Sequence, residues 1–174
     1  MPQLTDITAP FFADFAQLGE FAPADAAALP EDYQILLAHD DHMTVTVEAY
    51  HGSLVDVSVL AEHRDGDLYS RCSLLICQAT GEVAQLGIMR INLAQLSPQV
   101  REEVESKRTP LGRVLIRHNV LRRVELHQLW KIEPGSALRE RLALSDTQGV
   151  IFGRSAGIIV DGQPAVELLE IVKA

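Results

Sequence analysis

A few charged residues of this chain sit in apolar surroundings, and their chemistry is that of anion binding. Arg71 lies in the alternating run Tyr69-Ser70-Arg71-Cys72-Ser73-Leu74-Leu75, and Arg90 in Gly87-Ile88-Met89-Arg90-Ile91-Asn92-Leu93. Near the end of the chain, the run from Ala165 to Val172 places one glutamate on each apolar face of a strand. Glu167 shares a face with Ala165, Leu169 and Ile171. Glu170 shares the other with Val166, Leu168 and Val172. A half-buried charge costs free energy unless it is paired or functional. One reading is that these glutamates pair with a sheet arginine or lie at the rim. The other is an arginine that fixes a carboxylate, with a glutamate that handles a proton or a hydroxyl. The segment Arg108 to Leu115 adds a helix start at Thr109-Pro110, whose free amides suit an anion. Taken alone, it is equally a well-capped helix.

Other chemistries have less support. His39-Asp40-Asp41-His42 has metal-ligand residue types, but a zinc site needs three or four converging ligands. His51, His63, His118 and His127 are scattered, so a polar loop is the preferred reading and no metal is expected. There is no G-x-G-x-x-G and no P-loop, so any reaction must proceed without a recognisable cofactor. The net charge of −9 argues against nucleic acid as a partner. The charge is uneven: residues 1–63 hold 11 Asp or Glu and no Lys or Arg, whereas all 15 basic residues follow, among 13 acidic ones. That asymmetry fits either an acidic solvated cap or later segments that reserve a few arginines for an anion.

The elements that must position these residues form one domain over residues 1–174. Hydrophobic content of 47% with 22% charge describes a globular chain. No apolar run approaches the ~20 residues of a membrane span, and no basic residue precedes the apolar part of the N-terminus, as a secretory signal would require. Cys72 and Cys77 have an odd spacing, which points them to opposite faces of one strand. Buried thiols in a reducing compartment, the cytoplasm, are expected. Phe11, Phe12, Phe15 and Leu18 have helical spacing over Pro10 to Leu18. Ala22 to Leu29 and Glu31 to Ala38 read as short helices. Met43 to Tyr50 alternates and is β-branched, so it reads as strand, although its length also allows a helical start. Leu54 to His63, Tyr69 to Gln78 and Glu82 to Leu93 are strand-like and separated by Gly-containing turns, hence antiparallel. Helices are expected from Ser97-Pro98 and from Thr109-Pro110 to about His118. A strand over Val124 to Ile132, a helix over Ser136 to Leu144 and a hairpin around Asp161-Gly162 complete the chain. The expected fold is α+β: an antiparallel sheet of about six strands with helices packed on one face.

Thr109-Pro110-Leu111-Gly112-Arg113, with Leu115 and the closing Gly153-Arg154 … Asp161-Gly162-Gln163-Pro164 … Glu170, resembles the chorismate pyruvate-lyase (4-hydroxybenzoate synthase) superfamily. The run Thr109 to Glu125 and the segment His39 to Gly52 resemble its divergent cyanobacterial, archaeal and mycobacterial branch. The resemblance covers about residues 30–172. It implies a chorismate lyase-like fold and a cofactor-free elimination of pyruvate from chorismate to 4-hydroxybenzoate, serving quinone biosynthesis. Aromatisation drives that reaction, so the protein mainly positions and polarises its substrate. By the same resemblance Arg71 and Glu170 carry the catalysis. Met43, Leu111 and Gly112 bind substrate, and Arg90 and Arg113 assist. Glu170 stands one residue further from the preceding proline than in the familiar enzymes, and one residue flips a strand side chain. Glu167 is therefore the alternative to Glu170, which is preferred.

The superfamily also contains effector-binding domains of transcription regulators, so fold alone does not establish catalysis. A non-catalytic domain for a small aromatic acid is the alternative to the lyase. The lack of an N-terminal DNA-reading helix pair speaks against a complete regulator. A third reading is a lyase that converts aminodeoxychorismate to 4-aminobenzoate. The oligomeric state is not legible in the sequence.

Overall fold

In a computed structural model, which describes residues 4–174, the chain forms a seven-stranded antiparallel sheet. The strands are β1 (Gly19–Ala24), β2 (Val55–Asp65), β3 (Leu68–Cys77), β4 (Val83–Asn92), β5 (Arg122–Pro134), β6 (Ile151–Val160) and β7 (Gln163–Val172). The helices are α1 (Leu4–Thr8), α2 (Glu31–Leu37), α3 (Met43–His51), α4 (Pro98–Glu105), α5 (Leu111–Arg117) and α6 (Ser136–Arg141). Spatial order is β1-β5-β6-β7-β4-β3-β2. Two meanders, β2-β3-β4 and β5-β6-β7, thus meet along a seam between β4 and β7.

The α+β antiparallel architecture is as expected, with one strand more. The hairpin turns form where Gly and Asp punctuate the alternation. Asp161 (φ 49°) and Gly162 (φ 81°) are both left-handed, the backbone that a tight two-residue turn between β6 and β7 requires. Ser97 caps α4 by accepting from the Val100 amide, with Pro98 in the first turn. α5 starts one residue later than its signal: Pro110 is the N-cap, and Thr109 makes no cap.

The N-terminal third departs most from expectation. Pro10 to Leu18 is not a helix. Asp14 accepts from the Ala16 amide and closes a single 3₁₀ turn over Phe15–Gln17, an alternative that short polar side chains offer the backbone. Phe12 and Leu18 are nonetheless buried. The expected helix at Ala22 to Leu29 is the end of β1 followed by a 3₁₀ turn at Ala26–Ala28. Pro23 is tolerated because β1 is an edge strand. Met43 to Tyr50, read as strand, is helix α3. It buries Met43, Thr44 and Val47 and ends at left-handed Gly52. Tertiary packing overrides its β-branched pattern, since Met43 and Val47 join one cluster with Leu36, Leu37 and Leu75.

One face of the sheet carries the main helical layer, α2 to α5. Val104, Val114 and Leu115 pack there on Met89, Ile158 and Val166. On the other face, Ile7, Phe12, Leu138 and Leu142 cover Leu74, Leu86, Ile88 and Leu169. Among the described residues no helix is long and apolar enough to cross a membrane.

Candidate functional site

A cavity lies between the main helical layer and the sheet, at the seam of the two meanders. Strand register builds its floor. Arg71 stands opposite Met89, Ser73 opposite Gly87, and Leu75 opposite Gln85. Across the seam Met89 faces Leu168, Gly87 faces Glu170, and Gln85 faces Val172. These side chains all point to the helical layer. Gly87 contributes no side chain, and the Gln85 amide reaches over it, its Nε2 3.4 Å from where a Cβ would lie. The N-terminal ends of α3 (His42, Met43, Thr44) and α5 (Pro110, Leu111, Gly112) form the roof. The two starts touch: a Cβ on Gly112 would lie 3.0 Å from the His42 Cβ, so glycine lets the helices approach this closely. The cavity volume is about 60 Å³, and the wider space that includes its open mouth is about 530 Å³.

The walls are mainly apolar, with Met43, Leu75, Met89, Leu111, Ile158 and Leu168 among them, and the charged residues lining it are Arg71 and Glu170. They are in different states. Glu170, 7% exposed, accepts from Arg154 Nε at 2.7 Å. Arg154 is fully buried and also donates to the carbonyls of His39 (2.8 Å) and Asp41 (3.0 Å). This arginine ties the cavity wall to the loop that leads into α3. Arg71 is 2% exposed, and Nη1 makes one long contact, 3.4 Å to the Val104 carbonyl. Its Nε has no partner. Burial pushes its pKa below the ordinary value, opposed by nearby Tyr69 and Glu62. Glu62 is engaged elsewhere, accepting from the Tyr69 hydroxyl (3.0 Å) and Lys107 (3.1 Å). Burial first, then the Glu62 bond, lifts the Tyr69 hydroxyl to about 12.

Three buried side-chain polar atoms among the described residues lack a hydrogen-bond partner: Tyr33 Oη, Arg71 Nε and Gln85 Oε1. Two of the three line this cavity. Buried polar groups are nearly always satisfied, so two orphans in one cavity mark a place for a ligand. At the roof, His42 Nε2 accepts from Arg122 Nε at 2.6 Å. Burial, with Arg122 and Arg154 adding to it, lowers its pKa to about 4, so the ring is neutral at ordinary pH.

Of the residues singled out from the sequence, Arg71, Glu170, Met43, Leu111 and Gly112 come together here. Arg90 and Glu167 do not. They pair with each other, Nε to Oε2 at 2.5 Å, on the opposite face of the sheet, where their register parity puts them. Glu170 therefore faces the cavity and Glu167 does not. Arg113 binds Glu48 of α3 and is a strut between two helices. Gln85 and Arg154 were missed. Gln85 is a polar residue in an apolar strand run, the signal that picked out Arg71, whereas Arg154 stands among small residues, where that contrast is weak.

No family model matches the chain, and no curated protein sequence matches it. Solved structures do share its fold. PhnF from Mycobacterium smegmatis aligns with a TM-score of 0.58 at 12% identity, over 76% of this chain and 64% of that one. The effector domain of PhnF alone gives 0.55 at 12% identity, over 77% and 89%. The ligand-binding domain of a Bordetella bronchiseptica protein described as a GntR-family transcriptional regulator gives 0.53 at 11%, over 69% and 86%. The chain thus spans less than two thirds of full-length PhnF. At these identities the likeness shows the fold, the chorismate lyase-like one.

These neighbours correct the expected activity. The solved structures it resembles include regulator effector and ligand-binding domains, and no family model or curated sequence ties the chain to a lyase. The readings as an enzyme releasing pyruvate from chorismate for quinone biosynthesis, or from aminodeoxychorismate, are set aside. Thr109 to Arg113 packs as well as lines the cavity: Gly112 admits the close approach of α3, and Arg113 reaches Glu48. Glu170, expected to be catalytic, is the partner of Arg154. Arg71 and Glu170 keep their places but not the catalytic role.

Proposed function

We propose that this chain is a non-catalytic ligand-binding domain that holds a small organic monocarboxylate in the cavity over Gly87. The observation that carries this reading is the buried Arg71 with its unpartnered Nε. A guanidinium in this state has lost water without gaining an anion, and a carboxylate restores the missing hydrogen bonds in a bidentate pair. One free guanidinium balances one negative charge, which favours a monocarboxylate over a doubly charged phosphate. The apolar walls suit an aromatic ring or a short aliphatic body. Small-molecule sensing, as in the regulators that share the fold, is the role this predicts.

Calorimetric titration with a panel of small carboxylic acids tests the reading. At least one binds the wild-type protein and is recovered chemically unchanged. Arg71→Gln weakens it by about 100-fold, the scale of a lost charge-assisted pair. Equal binding to wild type and Arg71→Gln would remove Arg71 from the site. Consumption of the acid would refute the non-catalytic reading.

A further inference from the structure

We infer that the Gln85 side chain is the size gate of this cavity. Its amide takes up the space over Gly87, and a ring-sized ligand enters only when that amide turns aside. The inference rests on the reading of the cavity as a monocarboxylate site anchored by Arg71.

Volume is the first reason. The cavity measures about 60 Å³. A benzene ring takes a cavity of roughly 150 Å³. A ligand of one ring therefore needs room that some part of the lining must yield. The roof is braced against yielding. Arg113 joins α5 to α3 through Glu48, and Gly112 lies against His42. Arg154 fastens the loop before α3 by the carbonyls of His39 and Asp41, and holds the Glu170 carboxylate at 2.7 Å.

Gln85 is placed otherwise. It stands between Leu75 and Val172, one row along the face from Gly87. Its amide leans along β4 into the Gly87 row, which Ser73 and Glu170 flank, and its Nε2 comes within 3.4 Å of where a Gly87 Cβ would lie. The other end, Oε1, is buried without a partner. That oxygen gains no hydrogen bond by staying, and the side-chain torsions offer other rotamers. The group over the centre of the floor is thus one that nothing bonds at its sealed end. While it lies there, ring-sized acids are shut out. Their apparent affinity is reduced by the fraction of molecules in which the amide is turned aside. An acid small enough to sit beside the amide escapes that reduction.

Two acids without further polar groups, propanoate and cyclohexanecarboxylate, isolate size. They are titrated calorimetrically into wild type, Gln85→Ala and Gln85→Leu. Alanine removes the gate, and leucine keeps its bulk without the amide. Cyclohexanecarboxylate binds Gln85→Ala about tenfold more tightly than it binds wild type or Gln85→Leu. Propanoate shows no such gain. An alanine variant that binds the ring acid no more tightly than the leucine variant overturns the inference, as does an equal gain for propanoate. A crystal structure of wild type with cyclohexanecarboxylate gives a direct view. The amide is expected away from Gly87, and an amide still over Gly87 beside the bound acid overturns the inference. In each of these failures Arg71→Gln still weakens the acid, and the anchor reading stands. If neither acid binds any of the three proteins, the anchor reading fails and takes the inference with it.

Discussion

Two arginines are buried on the same face of the same sheet, and they are used in opposite ways. Arg154 on β6 makes bonds to Glu170 and to two backbone carbonyls, and none of its surface reaches solvent. Arg71 on β3 has nearly the same burial and one marginal bond. Burial alone therefore does not tell a structural cation from a binding one. The count of satisfied donors does. Arg154 completes a network and pins a loop, whereas Arg71 has lost its solvation with one long bond in exchange.

Four experiments probe this contrast. Removing the pinned arginine has the largest effect. Arg154→Met leaves the Glu170 carboxylate buried without a counter-charge, and urea unfolding shows a loss of about 3–5 kcal/mol. Adding Glu170→Leu recovers part of it, because the apolar pair buries no charge. A mild Arg154→Met phenotype would erase the distinction between the two arginines. Arg71→Met is the mirror case: stability stays within about 1 kcal/mol of wild type or rises, while carboxylate affinity disappears. Gly87→Val sharpens the assignment of the floor. Its Cβ already meets the Gln85 amide at 3.4 Å, so the added methyls crowd the cavity; ligand binding is lost with a destabilisation of about 1–3 kcal/mol, as melting with and without ligand reports. The smallest effect is titration of His42. Its folded pKa, about 4, lies below the ordinary value of 6.5, so the unfolded chain binds the extra proton first. Stability is full above pH 6.5 and declines as pH falls towards 4. In His42→Gln that part of the slope is absent, and an unchanged pH profile would show that the ring does not titrate as its surroundings imply.

The two meanders were legible because alternation of period two and Gly-Asp turns are local signals, and each strand carries its own. α3 was not, because Met43-Thr44-Val45-Thr46-Val47 is locally a strand, and only packing against α2 and the sheet makes it a helix. The Asp14 turn was likewise hidden behind a helical spacing of phenylalanines. Arg71 and Glu170 stood out because charge interrupts an apolar alternation. Gln85 and Arg154 interrupt it as well, but Gln85 is uncharged and Arg154 sits among glycines, serine and alanine, where contrast is weak. The sorting of Glu170 from Glu167 needed the register of β4 with β7, which is long-range information. The chemistry was the least legible part: a motif that packs one helix start on another is written in the same residues as one that holds a substrate.

The seam between β4 and β7 has a kinetic side. Each meander is built from neighbours in sequence and can form quickly, but Gln85 meets Val172 only when the last strand has been added. Pairing of such distant segments is the slow, high-contact-order step of folding. The cavity straddles that seam, with Arg71, Gly87 and Gln85 on one side and Glu170 on the other. A bound molecule is therefore a staple across the joint between the two meanders. Mass action then favours the joined state, and unfolding slows as the ligand concentration rises.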